Sequence, residues 1–575
     1  MRRWLVAAVC GLAVTQGGAR EQVPVRNPAW ETAPAQSALP EPAAKSMQAE
    51  VPAASAASDM QVPAVQASTA TAAAGRAALD ALFDQTFSRY HLPGLAVGIV
   101  ENGQVVFKRS AGETRAGSGE AVDAATVFKI ASNSKAMTTA LLARLADAGK
   151  LDWGDPVRKY LPGFRMHDDW VTREIQLRDL LIHNSGLRAG AGDLMLWPEP
   201  NSFSRADVLA GLAHLKPAYS FRSRYAYDNL LYIVAGEVAA AAGGASYEEL
   251  LRREVFQPLG LGRCQVGEWR RDEVGNVAQP HMRKDERNVV IRADEALVPA
   301  MASAAAGGVR CSLDDMLRWT QVWLDADTAG ADGKPWLSRT QREALWTPQI
   351  AMPLGERQRR WDSAHFSAYG YGWRLSDVDG TLKVSHTGTL AGMYSVLTLL
   401  PEKKIGFVVL INGDGGEART VLNQALVKHY SAPQLGVSVT ALAEELARER
   451  GPQPAAAGTS APERSPVTAR EAAGWNGVYR DPWFGEVGIC PQRGKMHFRA
   501  AKSPRLSGPL LRQGGRLLVD WDDDSVDAEP WLDFTAAADG KPAGLRLSHV
   551  DPGADFSYDY PDLDFVRVGD CGRGR

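Results

Sequence analysis

The sequence predicts an α+β architecture. One antiparallel sheet is flanked by helices and carries an inserted helical lobe, and a small C-terminal β-barrel-like domain follows. Three observations predict it. Strand-like runs lie at both ends of residues 77–432 and enclose a mainly helical stretch from Ser132 to Val309. Two Ala/Pro/Ser-rich segments, 20–75 and 451–470, set that region apart. Short alternating runs broken by Gly-Gly and Asp-Gly turns resume beyond 471.

Met1-Arg2-Arg3 is basic, Trp4 to Val14 is apolar, and the small residues Gly17, Gly18 and Ala19 follow. This is the layout of a secretory signal peptide over 1–19, and it predicts a periplasmic or secreted protein. Residues 20–75 hold almost no aromatic side chains, so they cannot bury enough apolar surface to offset ordering entropy. They read as a disordered tether, with organised sequence beginning near Ala77. Leu79, Leu82, Phe83 and Phe87 then recur at helical spacing. Leu95 to Val100 and Val105 to Phe107 flank Asn102-Gly103, a strong hairpin signal because both central residues tolerate positive φ. Strand runs return at Leu382 to Val384, Tyr394 to Leu400 and Ile405 to Ile411, with Pro401 to Lys404 as a polar turn. Val421 to Tyr430 reads as a closing helix. Residues 433–470 are expected to be helix and linker, and 471–570 the β domain.

The chain has 575 residues, 45% apolar and 23% charged, which suits a globular protein with a sizeable core. Lys and Arg number 64 against 67 Asp and Glu. That balance excludes an electrostatic case for nucleic acid or an anionic membrane surface as partner. The run from Trp4 is too short to span a bilayer, and no later run approaches the needed length. No stable membrane span is expected after signal cleavage. Cys264, Cys311, Cys490 and Cys571 remain in the mature chain; four cysteines allow three pairings, and the spacings favour none. No C-x-x-C pair occurs, so no zinc site is indicated.

Three short patterns carry chemistry, and each occurs once. Ser132-Asn133-Ser134-Lys135 is S-x-x-K at the start of a helix with Met137, Leu141, Leu142 and Leu145 on one stripe. The spacing puts Ser132 and Lys135 on one helix face, where a partly desolvated lysine can act as base for the serine. Tyr227-Asp228-Asn229 is Y-x-N ahead of the apolar helix Leu230 to Ala241. A tyrosine beside a lysine ammonium is expected to lose its proton more easily, and Asn229 can bond the lysine and a substrate carbonyl. Asp228 or Asn229 also suits a helix cap. His386-Thr387-Gly388 closes a strand run. The backbone N–H groups of Thr389 and Ser132 are expected to form an oxyanion site, with Gly388 allowing close approach of substrate. His183 and Ser185 read as structural. The chain lacks G-x-S-x-G, H-E-x-x-H, a Walker A loop and G-x-G-x-x-G.

In this order the three patterns resemble those of the serine β-lactamase and penicillin-binding-protein superfamily, in particular class C-like (CubicO) serine hydrolases. The resemblance covers roughly 77–430 and includes Phe128 to Ala131, Asp155-Pro156-Val157, Leu180 to Leu187 and Ala306 to Val309. It implies Ser132 as acylated nucleophile, Lys135 and Tyr227 as acid/base pair, and His386 to Thr389 as substrate-binding strand. Acyl transfer by these groups implies no metal and no cofactor. The C-terminal unit resembles an appended lipocalin-like domain. β-Lactamases usually carry Lys-Thr-Gly where this chain has His386-Thr387-Gly388, so the resemblance points to esterase or D-amino-acid peptidase members acting on a small-molecule or peptide substrate. A β-lactamase or D,D-peptidase is the alternative within the class, and an inactive binding scaffold the alternative outside it.

Overall fold

A computed structural model describes residues 64–330, 333–451, 463–538 and 542–572. The expected signal peptide and the tether up to residue 63 lie outside them. Helix α1 (Ala64–Arg89) begins well before Ala77, within the stretch expected to be unstructured. Its first half is rich in alanine, the residue with the highest helix propensity.

The hairpin forms as expected. Strands β1 (Gly94–Glu101) and β2 (Gln104–Gly112) join through Asn102 and Gly103, at φ 50° and 80°. Late in the domain come β3 (Ile350–Ala351), β4 (Ser367–Tyr369), β5 (Arg374–Val378), β6 (Thr381–Leu390), β7 (Met393–Leu400) and β8 (Ile405–Ile411). The antiparallel sheet runs β2-β1-β8-β7-β6-β5-β4-β3, with Leu95 opposite Ile411 at the seam between the early and late strands. Both sheet faces are covered. Leu95, Val97, Ile99, Phe407 and Val409 pack with α1 and the helices Gly416–Ser431 and Val439–Arg450. Ala96, Val100, Val408 and Leu410 pack on the lobe side. Two covered faces explain why these strands are continuous apolar runs, since each fully buried Leu, Val or Phe contributes about 1.5–3 kcal/mol.

The lobe contains α2 (Ser134–Asp147) and α3 (Leu230–Gly243). Most of α2 is buried, including Thr138 and Thr139, so it is a central helix and not the one-sided amphipathic helix expected. Among the described residues no single helix is long and apolar enough to cross a membrane. The lobe is less uniformly helical than expected. Strands His281–Lys284 and Arg287–Val290 form a hairpin around Asp285 and Glu286, both at positive φ. This turn is made without Gly or Asn, which removed its signal from the sequence.

The C-terminal domain is an eight-stranded up-and-down barrel. Strands β9 (Gly477–Asp481), β10 (Gly485–Gln492), β11 (Lys495–Ala500), β12 (Ser507–Gln513), β13 (Arg516–Val519), β14 (Pro530–Ala536), β15 (Pro542–His549) and β16 (Asp564–Gly569) pair in order, and β9–β16 pairing closes the ring. Closure removes sheet edges. The domain starts earlier than expected: Ser465 and Pro466 pair with β12 and Val467 is buried, so the linker ends before 465. The disulfides are Cys264–Cys311 and Cys490–Cys571, one in each domain.

The barrel docks on the lobe. Phe484 meets Phe203 with ring centroids 5.7 Å apart, and Lys502 pairs with Asp207 at 2.6 Å. The barrel segment between β15 and β16 reaches furthest. There Asp562 pairs with Arg188, and the Asp559 carboxyl accepts from the N–H groups of Gly192 and Leu194.

Candidate active site

Ser132 sits in a single 3₁₀ turn, Ala131–Asn133, that leads into α2. Ala131 is held at φ 48°, a left-handed conformation that costs about 1–3 kcal/mol for a residue with a Cβ. The surroundings fix it. Ser134 Oγ donates to the Ala131 carbonyl at 2.6 Å, and Ser395 Oγ donates to the Ile130 carbonyl at 2.7 Å. Asn133 Nδ2 donates to Ser395 Oγ at 2.8 Å. The Ser132 turn is thereby bolted to β7.

Gly388 explains how β6 lies against this turn. A Cβ there would stand 2.2 Å from the Ile130 oxygen and 2.3 Å from Ser395 Oγ. The glycine therefore admits the Ser132 turn, not the substrate as the sequence suggested. Residues 386–390 extend beyond the end of β5, which pairs only with 381–385, so this part of β6 has an open edge.

Lys135 is completely buried. Its Nζ lies 3.2 Å from Ser132 Oγ, 2.7 Å from Asn229 Oδ1 and 2.8 Å from the Ala306 carbonyl. Burial pushes its pKa down to about 7, against the attraction of Asp193, while Arg374 adds to the depression. Tyr227 Oη lies 2.9 Å from Ser132 Oγ. Burial drives Tyr227 up to about 12, outweighing its bond to Ser132. The expectation that the neighbouring lysine would ease proton loss from Tyr227 is thus corrected: desolvation acts on both groups, lowering the lysine and raising the tyrosine.

Asn229 and Asp228 stand where the chain turns into α3. Asn229 Nδ2 donates to Asp193 Oδ2 at 2.9 Å, so its amide is turned inward, from the lysine to Asp193, and not toward a substrate carbonyl. Asp228 Oδ1 accepts from the Leu230 N–H at 2.9 Å and caps α3. Burial raises Asp228 to about 6 and Asp193 well above the ordinary carboxyl value.

His386 is buried, and both its ring nitrogens are occupied. Its Nδ1 faces the Thr387 carbonyl at 2.8 Å, and its Nε2 faces Tyr369 Oη at 2.9 Å. A carbonyl only accepts, so Nδ1 donates and Nε2 receives the tyrosine proton. Burial holds the ring neutral. His386 therefore anchors the strand from behind, which corrects its expected place among substrate-contacting residues. Thr389 is exposed on the strand. His183 is structural, as expected: its Nδ1 accepts from the Asp228 N–H at 3.0 Å, and its ring lies 4.4 Å from that of Tyr227.

Four site residues escaped sequence reasoning. Arg374 Nη1 donates to Thr387 Oγ1 at 2.9 Å. Arg419 Nη1 donates to the Gly388 carbonyl at 2.6 Å and to Thr389 Oγ1 at 2.7 Å. These two cations stand at the strand where a lysine side chain is missing. Asp193 follows the Gly190-Ala191-Gly192 turn, whose glycines at φ 74° and 79° were the one local signal available. Phe556 comes from the barrel, and its ring meets that of Tyr227 edge-on at 5.9 Å.

A sheet-and-lobe fold with serine, lysine and tyrosine gathered where β6 and β7 meet the lobe defines the class: the β-lactamase-like fold that penicillin-binding proteins share. The β-lactamase family model matches residues 79–431, and the chain belongs to that family. Penicillin-binding protein 4 of Amycolatopsis lactamdurans is 28% identical over 58% of this chain and 84% of its own. The D-alanyl-D-alanine-carboxypeptidase/endopeptidase AmpH of Escherichia coli K12 is 28% identical over 58% of this chain and 83% of its own. The octameric penicillin-binding protein homologue from Pyrococcus abyssi superimposes with a TM-score of 0.52 at 18% identity, over 85% of this chain and 99% of that one.

Proposed function

We propose that the protein is an exported serine hydrolase that cleaves an amide or ester through an acyl-enzyme on Ser132, and that its substrates are peptides of the D-amino-acid type. One observation carries the mechanism. Two of the three groups around Lys135 Nζ, Asn229 Oδ1 and the Ala306 carbonyl, can only accept hydrogen bonds. A neutral lysine keeps its two hydrogens on them and turns its lone pair to the third neighbour, Ser132 Oγ. With a pKa of about 7, Lys135 is neutral in a large fraction of molecules near neutrality.

In the first step Lys135 Nζ takes the Ser132 proton while Oγ bonds to the substrate carbonyl carbon. The carbonyl oxygen becomes an oxyanion, received by the backbone N–H groups of Ser132 and Thr389. The carbon–leaving-group bond then breaks. Tyr227, which keeps its proton at neutral pH, delivers it to the departing nitrogen or oxygen and is reprotonated from Lys135. Water attacks the acyl-enzyme with Lys135 again as base, releasing the acid and Ser132. Arg374 and Arg419 favour substrates bearing a carboxylate beside the β6 edge. The similarity to the D-alanyl-D-alanine-carboxypeptidase/endopeptidase AmpH supports the peptidase reading over a simple esterase. Two disulfides suit an oxidising compartment and support a periplasmic or secreted location.

The test is stopped-flow hydrolysis of a p-nitrophenyl ester. The wild type is expected to release a burst proportional to enzyme, and Ser132→Ala neither burst nor turnover while melting as a folded protein. Hydrolysis unchanged in that variant rejects the mechanism.

A further inference from the structure

The barrel segment between β15 and β16 does more than seal the lobe. Ser557 Oγ donates to Asp193 Oδ2 at 2.8 Å. The same oxygen receives Asn229 Nδ2 at 2.9 Å, and Asn229 Oδ1 receives Lys135 Nζ at 2.7 Å. Lys135 Nζ lies 3.2 Å from Ser132 Oγ. An unbroken hydrogen-bonded chain thus runs from the C-terminal domain to the nucleophile. Asp193 Oδ1 has no partner among the described residues, so Oδ2 carries all of this carboxyl's bonds.

The contact is held from several sides. Asp559 binds the N–H groups of Gly192 and Leu194, which bracket Asp193. The Phe556 carbonyl lies where a Cβ on Gly190 would be 2.3 Å away. Any side chain at 190 would push the segment off.

We infer that Ser557, supplied by the barrel, is a positioning residue of the catalytic centre that acts through Asp193 and Asn229 on Lys135. This rests on the serine-hydrolase reading. The Ser557 hydrogen bond favours the ionised Asp193 against the burial that promotes its neutral acid, and Asp193, held by it, fixes the Asn229 amide that sets the Lys135 amine against Ser132. The other groups facing Lys135 are Asp228, Arg374, His183, His386 and the rings of Tyr227 and Tyr232. Those facing Asp193 include Asp228 and Asp559. Among the described residues Ser557 Oγ makes its hydrogen bond to Asp193 and to none of these groups.

The experiment is the rate of Ser132 labelling by a fluorophosphonate against pH, in the full chain. Ser557→Ala is expected to lower the plateau rate about 10-fold or more. Its acid limb moves to lower pH, because a less stabilised Asp193 carboxylate lowers the Lys135 pKa. Ser557→Thr restores both. Asp193→Asn shifts the limb in the same direction, and adding Ser557→Ala to it changes nothing further. A Ser557→Ala protein with the wild-type plateau and limb overturns the inference, as does an additive double variant. If Asp193→Asn fails to fold, the Ala and Thr variants at 557 still decide. A wild type that is not labelled at all overturns the serine-hydrolase reading, and this inference with it.

Discussion

Lys135 Nζ lies 2.7 Å from Asn229 Oδ1, and an amide oxygen cannot return a proton to the amine it receives. A carboxylate in the same place attracts positive charge. Asn229→Asp forms a carboxyl pair with Asp193, which takes up the shared proton, so the remaining charge moves onto the lysine's direct partner and is expected to raise the Lys135 pKa. On the proposed mechanism the wild-type base is the neutral amine, so kcat/KM is expected to climb with pH through about 7 and then level. In the variant the climb moves upward by about one pH unit or more. The pH–rate profile with a p-nitrophenyl ester reads both, and a climb at unchanged pH counts against Lys135 as base.

Tyr227→Phe removes one hydroxyl 2.9 Å from Ser132 Oγ and leaves the packing with His183 and Phe556 in place. A proton donor of this kind is worth about 10²–10⁴ in rate. The loss is expected in kcat with little change in KM, and it should be smaller for substrates with a low-pKa leaving group, which needs no proton. Comparing p-nitrophenyl and alkyl esters separates the two cases.

Gly388→Ala sets a methyl group against the Ile130 oxygen, which leads into the Ser132 turn, and against Ser395 Oγ, which ties that turn to β7. Overpacking at such a site costs about 1–3 kcal/mol. Denaturant melts should show that loss, and acylation should slow as Ser132 is displaced. The same substitution at Gly163, where a Cβ meets nothing within 4 Å and the backbone is not left-handed, is the control for added bulk.

The parts of the site that were legible in the sequence are those built locally. Ser132 and Lys135 are one helical turn apart, and Tyr227 and Asn229 stand at a helix start, so short spacing encodes their geometry. The fold was legible for a similar reason: strands buried on both faces leave unbroken apolar runs, as at Leu95 to Val100 and Ile405 to Ile411. What stayed hidden depends on distant chain. Gly388 reads as a substrate-facing glycine until Ile130 and Ser395 are seen against it. His386 reads as a ligand contact until Tyr369 closes over its far side. Arg374, Asp193 and Ser557 have no short pattern, because their partners come from other elements.

The pairing of Leu95 with Ile411 and the reach of Ser557 toward Asp193 bear on how the protein is made. Both contacts join an early part of the chain to a late one. A polypeptide emerging from the ribosome presents Ser132 long before the sheet can close, and longer still before the last barrel strands arrive. Until the sheet closes, the serine lacks the β6 and β7 contacts that hold its turn, and until the barrel is complete it lacks the Ser557 hydroxyl. Readiness thus follows the order of synthesis. A chain cut short before β6 would carry Ser132 in a turn without its Gly388 and Ser395 supports.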